Sequence, residues 1–170
     1  MPPGVWEEVL STAESRYVLG ERVGNPAPFY KAVGGFTAHI LYHGLINSLT
    51  KGAEEVVKAV NRYLALTPPA DLPYMDTFLE NHDVDRAATR LGSHAQLSAG
   101  YALLFSLSGA PSTYSGGEGG LATDHTSRRP HTPCPDPQLV KLLETLYRLR
   151  SRGLGRGPIW ASAKRGENRA

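Results

Sequence analysis

The chain has 170 residues, a formal net charge of +2, and 41% hydrophobic against 20% charged residues. That is long enough for one domain with a real core, and too apolar for a disordered chain. So weak a charge excludes a strongly basic nucleic-acid binder, and the Arg and Lys residues gathered between Arg148 and Arg169 read as a solvated end. The single cysteine, Cys134, lies in a proline-rich stretch; it excludes an internal disulfide and reads as an ordinary reduced thiol. No run approaches the roughly 18 apolar residues of a membrane span. Met1 to Glu8 lacks the basic and apolar regions of a signal peptide, so the expected location is cytoplasmic.

Val5 to Glu14 reads as the end of a helix, with Val5, Trp6, Val9 and Leu10 on one face. Arg16 to Glu21 reads as a short buried strand ending in Gly-Glu, followed by a Pro-containing loop over Asn25 to Tyr30 and a weak first helix. Phe36 to Ile40 reads as a second strand. Leu41 to Leu66 is mostly helical with a break near Gly52; Leu45, Ile46, Leu49, Val56, Val57, Val60 and Leu64 supply its apolar face. His39 and His43 are four apart, as helix-borne zinc ligands are. They lack the glutamate and third ligand of such motifs, so no metal is expected there.

Tyr74 to Glu80 reads as a third strand that ends in a polar cluster, Asn81-His82-Asp83-Val84-Asp85-Arg86. Ser93 to Ser108 is an apolar helix, and Ser93 followed by Gln96 matches a capping box. Pro111 to Ser115 reads as a fourth strand, Gly116 to Gly120 as a tight turn rather than a phosphate cradle, and Leu121 to Pro137 as a polar loop. Pro137 to Arg150 is a final amphipathic helix carrying Leu139, Leu142, Leu143, Leu146 and Leu149, and Pro158 to Ala161 resembles the start of another strand. Strands alternating with crossover helices imply a parallel α/β sheet. The polar residues collect after strands, at Glu21, Asn81-His82-Asp83 and Glu118, as on the catalytic face of a (β/α)8 barrel.

Four segments carry a family resemblance. Thr77-Phe-Leu-Glu-Asn-His-Asp-Val-Asp-Arg86 closely resembles the strand-7 motif of the α-amylase family of glycoside hydrolases. Leu103 to Glu118, with its Gly-Ala-Pro, Tyr114 and Gly-Gly-Glu, resembles the segment that follows in that family. Tyr17-Val-Leu-Gly-Glu21 resembles the strand-5 motif, and Arg128-Arg-Pro130 with Asp136-Pro-Gln-Leu and Leu146-Tyr-Arg-Leu-Arg150 resembles the last loop and eighth helix. The resemblance implies a partial TIM barrel, about strands 5–8 with their helices, over residues 1–152. Residues 153–170 would be a tail or the start of a C-terminal β-domain.

What the family implies for individual positions follows. Glu21 matches the general acid/base. Asp83 matches the carboxylate that stabilises the oxocarbenium-like transition state, and His82 matches a histidine hydrogen-bonded to the same sugar ring. Asn81 and Arg86 are further substrate-binding candidates, each equally able to orient the loop by capping or ion pairing; Glu118 is expected to be structural. Glycoside cleavage needs one protonated carboxyl at the leaving oxygen and negative charge beside the developing cation.

The implied substrate is an α-glucan or maltooligosaccharide, cleaved with retention. No cofactor is implied, because a family-type calcium site would need the N-terminal half. The Gly-x-Arg-x-Asp pattern that carries the nucleophilic aspartate occurs nowhere in the 170 residues. The expectation is therefore a half-barrel inactive by itself, prone to self-association through two open edges. The competing readings are an inactive truncated half-barrel with at most weak sugar binding, and a different barrel enzyme acting through Glu21 and Asp83.

Overall fold

A computed structural model describes residues 3–12, 17–23, 35–124 and 135–155. The first helix, α1 (Pro3–Ser11), precedes strand β1 (Leu19–Gly20). β1 pairs in parallel with β2 (Gly35–Phe36), Leu19 opposite Gly35 and Gly20 opposite Phe36. β3 (Asp76–Thr77) pairs in parallel with β4 (Ala110–Pro111). A single parallel bridge, Thr37 to Asp76, joins the two ladders, so the spatial order of the strands is their chain order. Between β2 and β3 lie α2 (His39–Ser48) and α3 (Ala53–Leu66); between β3 and β4 lie α4 (Ala87–Leu91) and α5 (His94–Ser106); α6 (Pro137–Ser151) follows β4. Parallel strands added one after another in the same direction, with helices in the crossovers, form a sector of an α/β barrel. No helix among the described residues is long and apolar enough to cross a membrane.

The strands are shorter than the sequence reading expects. The second ends early because the backbone turns at Ala38 (φ −83°, ψ 57°), so that His39 and Ile40 open α2 instead of closing β2. The third begins late because Leu72–Tyr74 forms a 3-10 turn. The short helix α4, which ends at left-handed Gly92, was not anticipated. The Asn25 to Tyr30 loop, the weak helix after β1, Cys134 and the strand at Pro158 to Ala161 lie outside the described residues.

Most of the apolar periodicity translates into the core, although Leu149 of α6 and Val5 and Val9 of α1, expected on apolar faces, are exposed. Leu45, Ile46 and Val60 of α2 and α3, Leu97, Tyr101, Leu104 and Phe105 of α5, and Leu139, Leu143 and Leu146 of α6 are all buried. The Ser93 cap agrees with its sequence signal, and a second cap forms at Asp136. Ser93 Oγ accepts from Gln96 N at 3.2 Å and donates to Gln96 Oε1 at 3.1 Å. Asp136 Oδ1 accepts from Gln138 N at 2.8 Å and from Leu139 N at 3.3 Å, satisfying N–H groups that the first turn of α6 cannot pair internally. At the other end of α6, Arg150 donates to the carbonyls of Leu107 (2.6 Å), Phe105 (3.2 Å) and Gly109, so the C-terminal end of α5 is tied to the last helix.

β4 enters through Gly109, whose φ of +136° suits glycine and whose added Cβ would fall 2.5 Å from Thr77 Cγ2 and 2.9 Å from Met75 O. From there Ala110 N donates to Met75 O and Ser112 N to Thr77 O, which turns Pro111 toward the open edge. Gly109→Ala is expected to cost about 2–3 kcal/mol in urea denaturation, from strain and overpacking together. Gly4→Ala, at a helical position where a Cβ meets nothing within 4 Å, should leave the midpoint unmoved or raise it slightly. Equal midpoints for the two variants would contradict this packing.

His39 is 3% exposed, and neither ring nitrogen has a hydrogen-bond partner. Its ring meets Phe78 edge-on at 5.1 Å, and His43, on the exposed side of α2, lies 6.2 Å away. Burial holds its pKa below the usual histidine value, reinforced by His43 and opposed by Glu21, Asp83 and Asp76. A group depressed in the folded state contributes stability above its unfolded pKa, here about 6.5, and that contribution is lost as pH falls through the lower folded value. The stability of wild type relative to His39→Gln, measured by urea midpoints, is therefore expected to shrink between pH 7.5 and 5. A difference that is flat or grows with acid would show that the ring is charged in place.

Candidate active site

The C-terminal ends of the strands converge. Glu21 leaves β1 one residue beyond the Gly20–Phe36 pair and so sits level with Thr37, whose Oγ1 accepts from Arg22 N at 3.3 Å. Thr37 in turn is level with Asp76 across the bridge. From Asp76 the chain runs through buried Phe78, Leu79 and Glu80 into the Asn81-His82-Asp83 loop. The outcome is that donor atoms of Glu21, His82 and Asp83 all lie within 4.8 Å of one another, all three side chains being exposed. Residues from two separate strands meet on one face, as the chain order of the motifs implies. One imidazole and two carboxylates could meet either a cation or the hydroxyls of a ligand.

The loop has its own local order. Asn81 Oδ1 accepts from Asp83 N at 3.0 Å, which makes a turn of the kind Asn side chains favour. His82 Nε2 and Asp83 Oδ1 are 3.4 Å apart. Asn81 therefore shapes the loop that presents its two neighbours.

Arg86 is placed differently from a sugar-facing residue. It is buried, with Nε 3.3 Å from Glu80 Oε2, Nη2 donating to Ser115 O at 2.6 Å and the guanidinium 4.8 Å from the centre of the Tyr114 ring. The Nε approach is an ion contact without hydrogen-bond geometry. Of the two roles open to Arg86 in the sequence, the structure favours ion pairing. Glu118 Oε2 accepts from Gly116 N at 2.9 Å, within its own turn, as expected of a structural residue.

The residue missed by sequence reasoning is Glu80. It is 3% exposed, its Oε2 accepts from Ala87 N at 2.8 Å, and its Oε1 accepts from Tyr101 Oη at 3.2 Å. Burial raises the Glu80 carboxyl above the usual glutamate range against the opposing pull of the Ala87 N–H, Arg86 and Tyr101; burial and Glu80 together raise the Tyr101 hydroxyl. The β4 turn closes over this group at Gly117, where any Cβ would strike Glu80 Oε1 and Tyr101 Oη. The available signal was a charged residue at the end of an apolar run, six positions before an arginine. Asp76, half-buried on the sheet, is likewise raised by burial, opposed by a hydrogen bond from Ser112 and by His39.

Comparison with known proteins places the chain. A search of curated protein sequences returned no match. Among solved structures, the cyclic α-maltosyl-(1→6)-maltose hydrolase of Arthrobacter globiformis, in complex with maltose, superposes with a TM-score of 0.79 at 25% identity, over 91% of this chain and 39% of that one. An Anoxybacillus α-amylase superposes at 0.78 with 24% identity, over 93% and 39%. The Geobacillus thermoleovorans α-amylase, complexed with acarbose, gives 0.79 at 21% identity, over 93% and 40%. The chain therefore spans about two fifths of the length of these (β/α)8 enzymes. The family model described as the α-amylase catalytic domain matches residues 45–166, most of the chain. The chain belongs to the α-amylase catalytic-domain family of glycoside hydrolases.

Proposed function

We propose that the chain supplies half of the active site of a retaining α-glucan hydrolase, corresponding to barrel strands 5–8. The observation that carries this is the convergence of Glu21, His82 and Asp83, within 4.8 Å of one another, where parallel strands end. Glu21 is the general acid/base. Asp83 stabilises the positive charge that develops at the sugar ring, and His82 hydrogen-bonds that ring. Asn81 keeps Asp83 in register through its turn. The solved relatives complexed with maltose and acarbose support an α-glucan ligand.

The chemistry assigns each group a protonation state. The acid must carry its proton to the leaving oxygen, and Asp83 must stay ionised to face the cation. Hydrogen bonds that tighten in the transition state add several kcal/mol. An acid works best where water is excluded, and Glu21 is exposed in this chain. A retaining mechanism also needs a nucleophilic carboxylate about 5–5.5 Å from the acid. Because no Gly-x-Arg-x-Asp pattern occurs in these 170 residues, the chain acting alone is inactive. The β1 edge, which no other described strand pairs and where Tyr17, Leu19 and Val23 are exposed, makes it self-associate.

Purified chain is expected to release no reducing sugar from maltoheptaose. Acarbose titrated into labelled chain should shift the NMR signals of Glu21, His82 and Asp83, and Asp83→Asn should weaken that binding about tenfold, the value of one hydrogen bond to a charged group. Hydrolysis by the chain alone, lost in Asp83→Asn, would refute the inactivity. Acarbose shifts absent from all three residues would refute the glycan assignment. Sedimentation should show average mass rising with concentration; a constant monomer mass would exclude association at the edge.

A further inference from the structure

The loop that carries His82 and Asp83 is pinned at both ends by one buried ionic group. Glu80 stands immediately before it and Arg86 closes it. Glu80 Oε2 receives the N–H of Ala87 at 2.8 Å and faces Arg86 Nε at 3.3 Å, so the two ends of residues 81–85 are held together at the base. Arg86 then reaches outward in three directions. Its main-chain N–H donates to Thr123 O at 3.1 Å, its Nη2 to Ser115 O at 2.6 Å, and its guanidinium lies against Tyr114. Tyr101 Oη, from the core of α5, holds the second carboxylate oxygen at 3.2 Å. The loop after β3 is thereby fixed to the turn after β4 and to the helix beneath both.

We propose that Glu80 and Arg86 are a positioning pair: they staple the base of the 81–85 loop and so hold Asp83 and His82 opposite Glu21. The proposal rests on the glycosidase reading for its purpose. Both residues are buried, at 3% and 5% exposure, whereas His82 and Asp83 are exposed. Removing a charge from a buried pair is costly, and the cost falls first on the segment the pair closes. Without the staple the loop keeps its local contacts, among them the Asn81–Asp83 turn and the partly exposed Asp85–Arg90 pair at 4.0 Å, none of which ties one end of the loop to the other. Asp83 would then sample positions away from Glu21, and near-attack geometry is sensitive to displacements of about 1 Å.

Amide hydrogen exchange on the whole chain tests this. Arg86→Met keeps the volume and removes the charge, leaving Glu80 free to take up a proton. The amides of Asp83, Arg86 and Ala87 are expected to exchange at least tenfold faster, while Leu104, Phe105 and Leu143 in the core stay within twofold of wild type. Uniform acceleration of loop and core would mean that the pair only supports global stability, and unchanged loop exchange would mean that it holds nothing; either overturns the proposal. Should Arg86→Met fail to fold, Tyr101→Phe deletes one hydroxyl from the same carboxylate, and the same loop-confined pattern, at twofold or more, is expected. Acarbose separates the two claims. In a folded variant with a loosened loop, its dissociation constant should rise with the exchange rate of Asp83, and a constant unaffected by loosening overturns the positioning role. A wild-type chain that shows no acarbose shifts but a loop-confined exchange response contradicts the glycan reading and supports the staple.

Discussion

Thr37 and Asp76 make the contact on which the rest of this structure depends. The two ladders are each two residues long, and the bridge between these residues joins them into one sheet, reinforced by Ala38 N donating to Asp76 O at 2.8 Å. Sheet register is discrete: a slip by one residue reverses every side chain on a strand. With Thr37 level with Asp76, Glu21 rises on the same side of the sheet as the loop bearing Asp83. The backbone pairing therefore brings the two strand ends side by side, and the loop after β3 carries Asp83 the rest of the way to Glu21.

Behind that face the molecule accepts a less favourable arrangement. A buried ion pair loses solvation that its own attraction rarely restores in full, and a hydrophobic substitute is often as stable. Glu80 and Arg86 persist in the interior with Tyr101 and the Ala87 N–H satisfying the carboxylate. Apolar residues at these positions would pack, but they could not reach the Ser115 carbonyl or close a loop end to end. The polar group supplies direction where the surrounding core supplies only cohesion. Gly117 belongs to the same arrangement, since its missing side chain leaves room for the carboxylate.

Much of this was legible in the residues. Leucine spacing in α5 and α6 located the buried faces, and Ser93 with Gln96 marked a helix start because a side chain can satisfy backbone donors only there. The Asn81-His82-Asp83 cluster at the end of an apolar run identified a strand tip, and its meeting with Glu21 followed from parallel order. Strand lengths were not legible, because an apolar pair such as Phe78-Leu79 is buried equally well in or out of a ladder. Glu80 was missed for a related reason. Charged residues are ordinarily solvent-facing, and its partners, Tyr101 and Arg86, are brought to it by helix packing that no local pattern encodes. Arg86 read equally well as a ligand contact or an ion-pair partner, and the structure buries it beside Glu80.

Pro111 gives the sheet two unlike borders. At the β1 border the backbone of Leu19 can both give and receive hydrogen bonds. At the β4 border the outward position is a proline, which receives but cannot give. A strand arriving beside β4 must therefore leave one of its acceptors unanswered or direct it to water, whereas one arriving beside β1 meets no such defect. Growth of the sheet is directional in consequence. A strand that pairs on the β4 flank has to accommodate the proline, so that flank is the less receptive of the two.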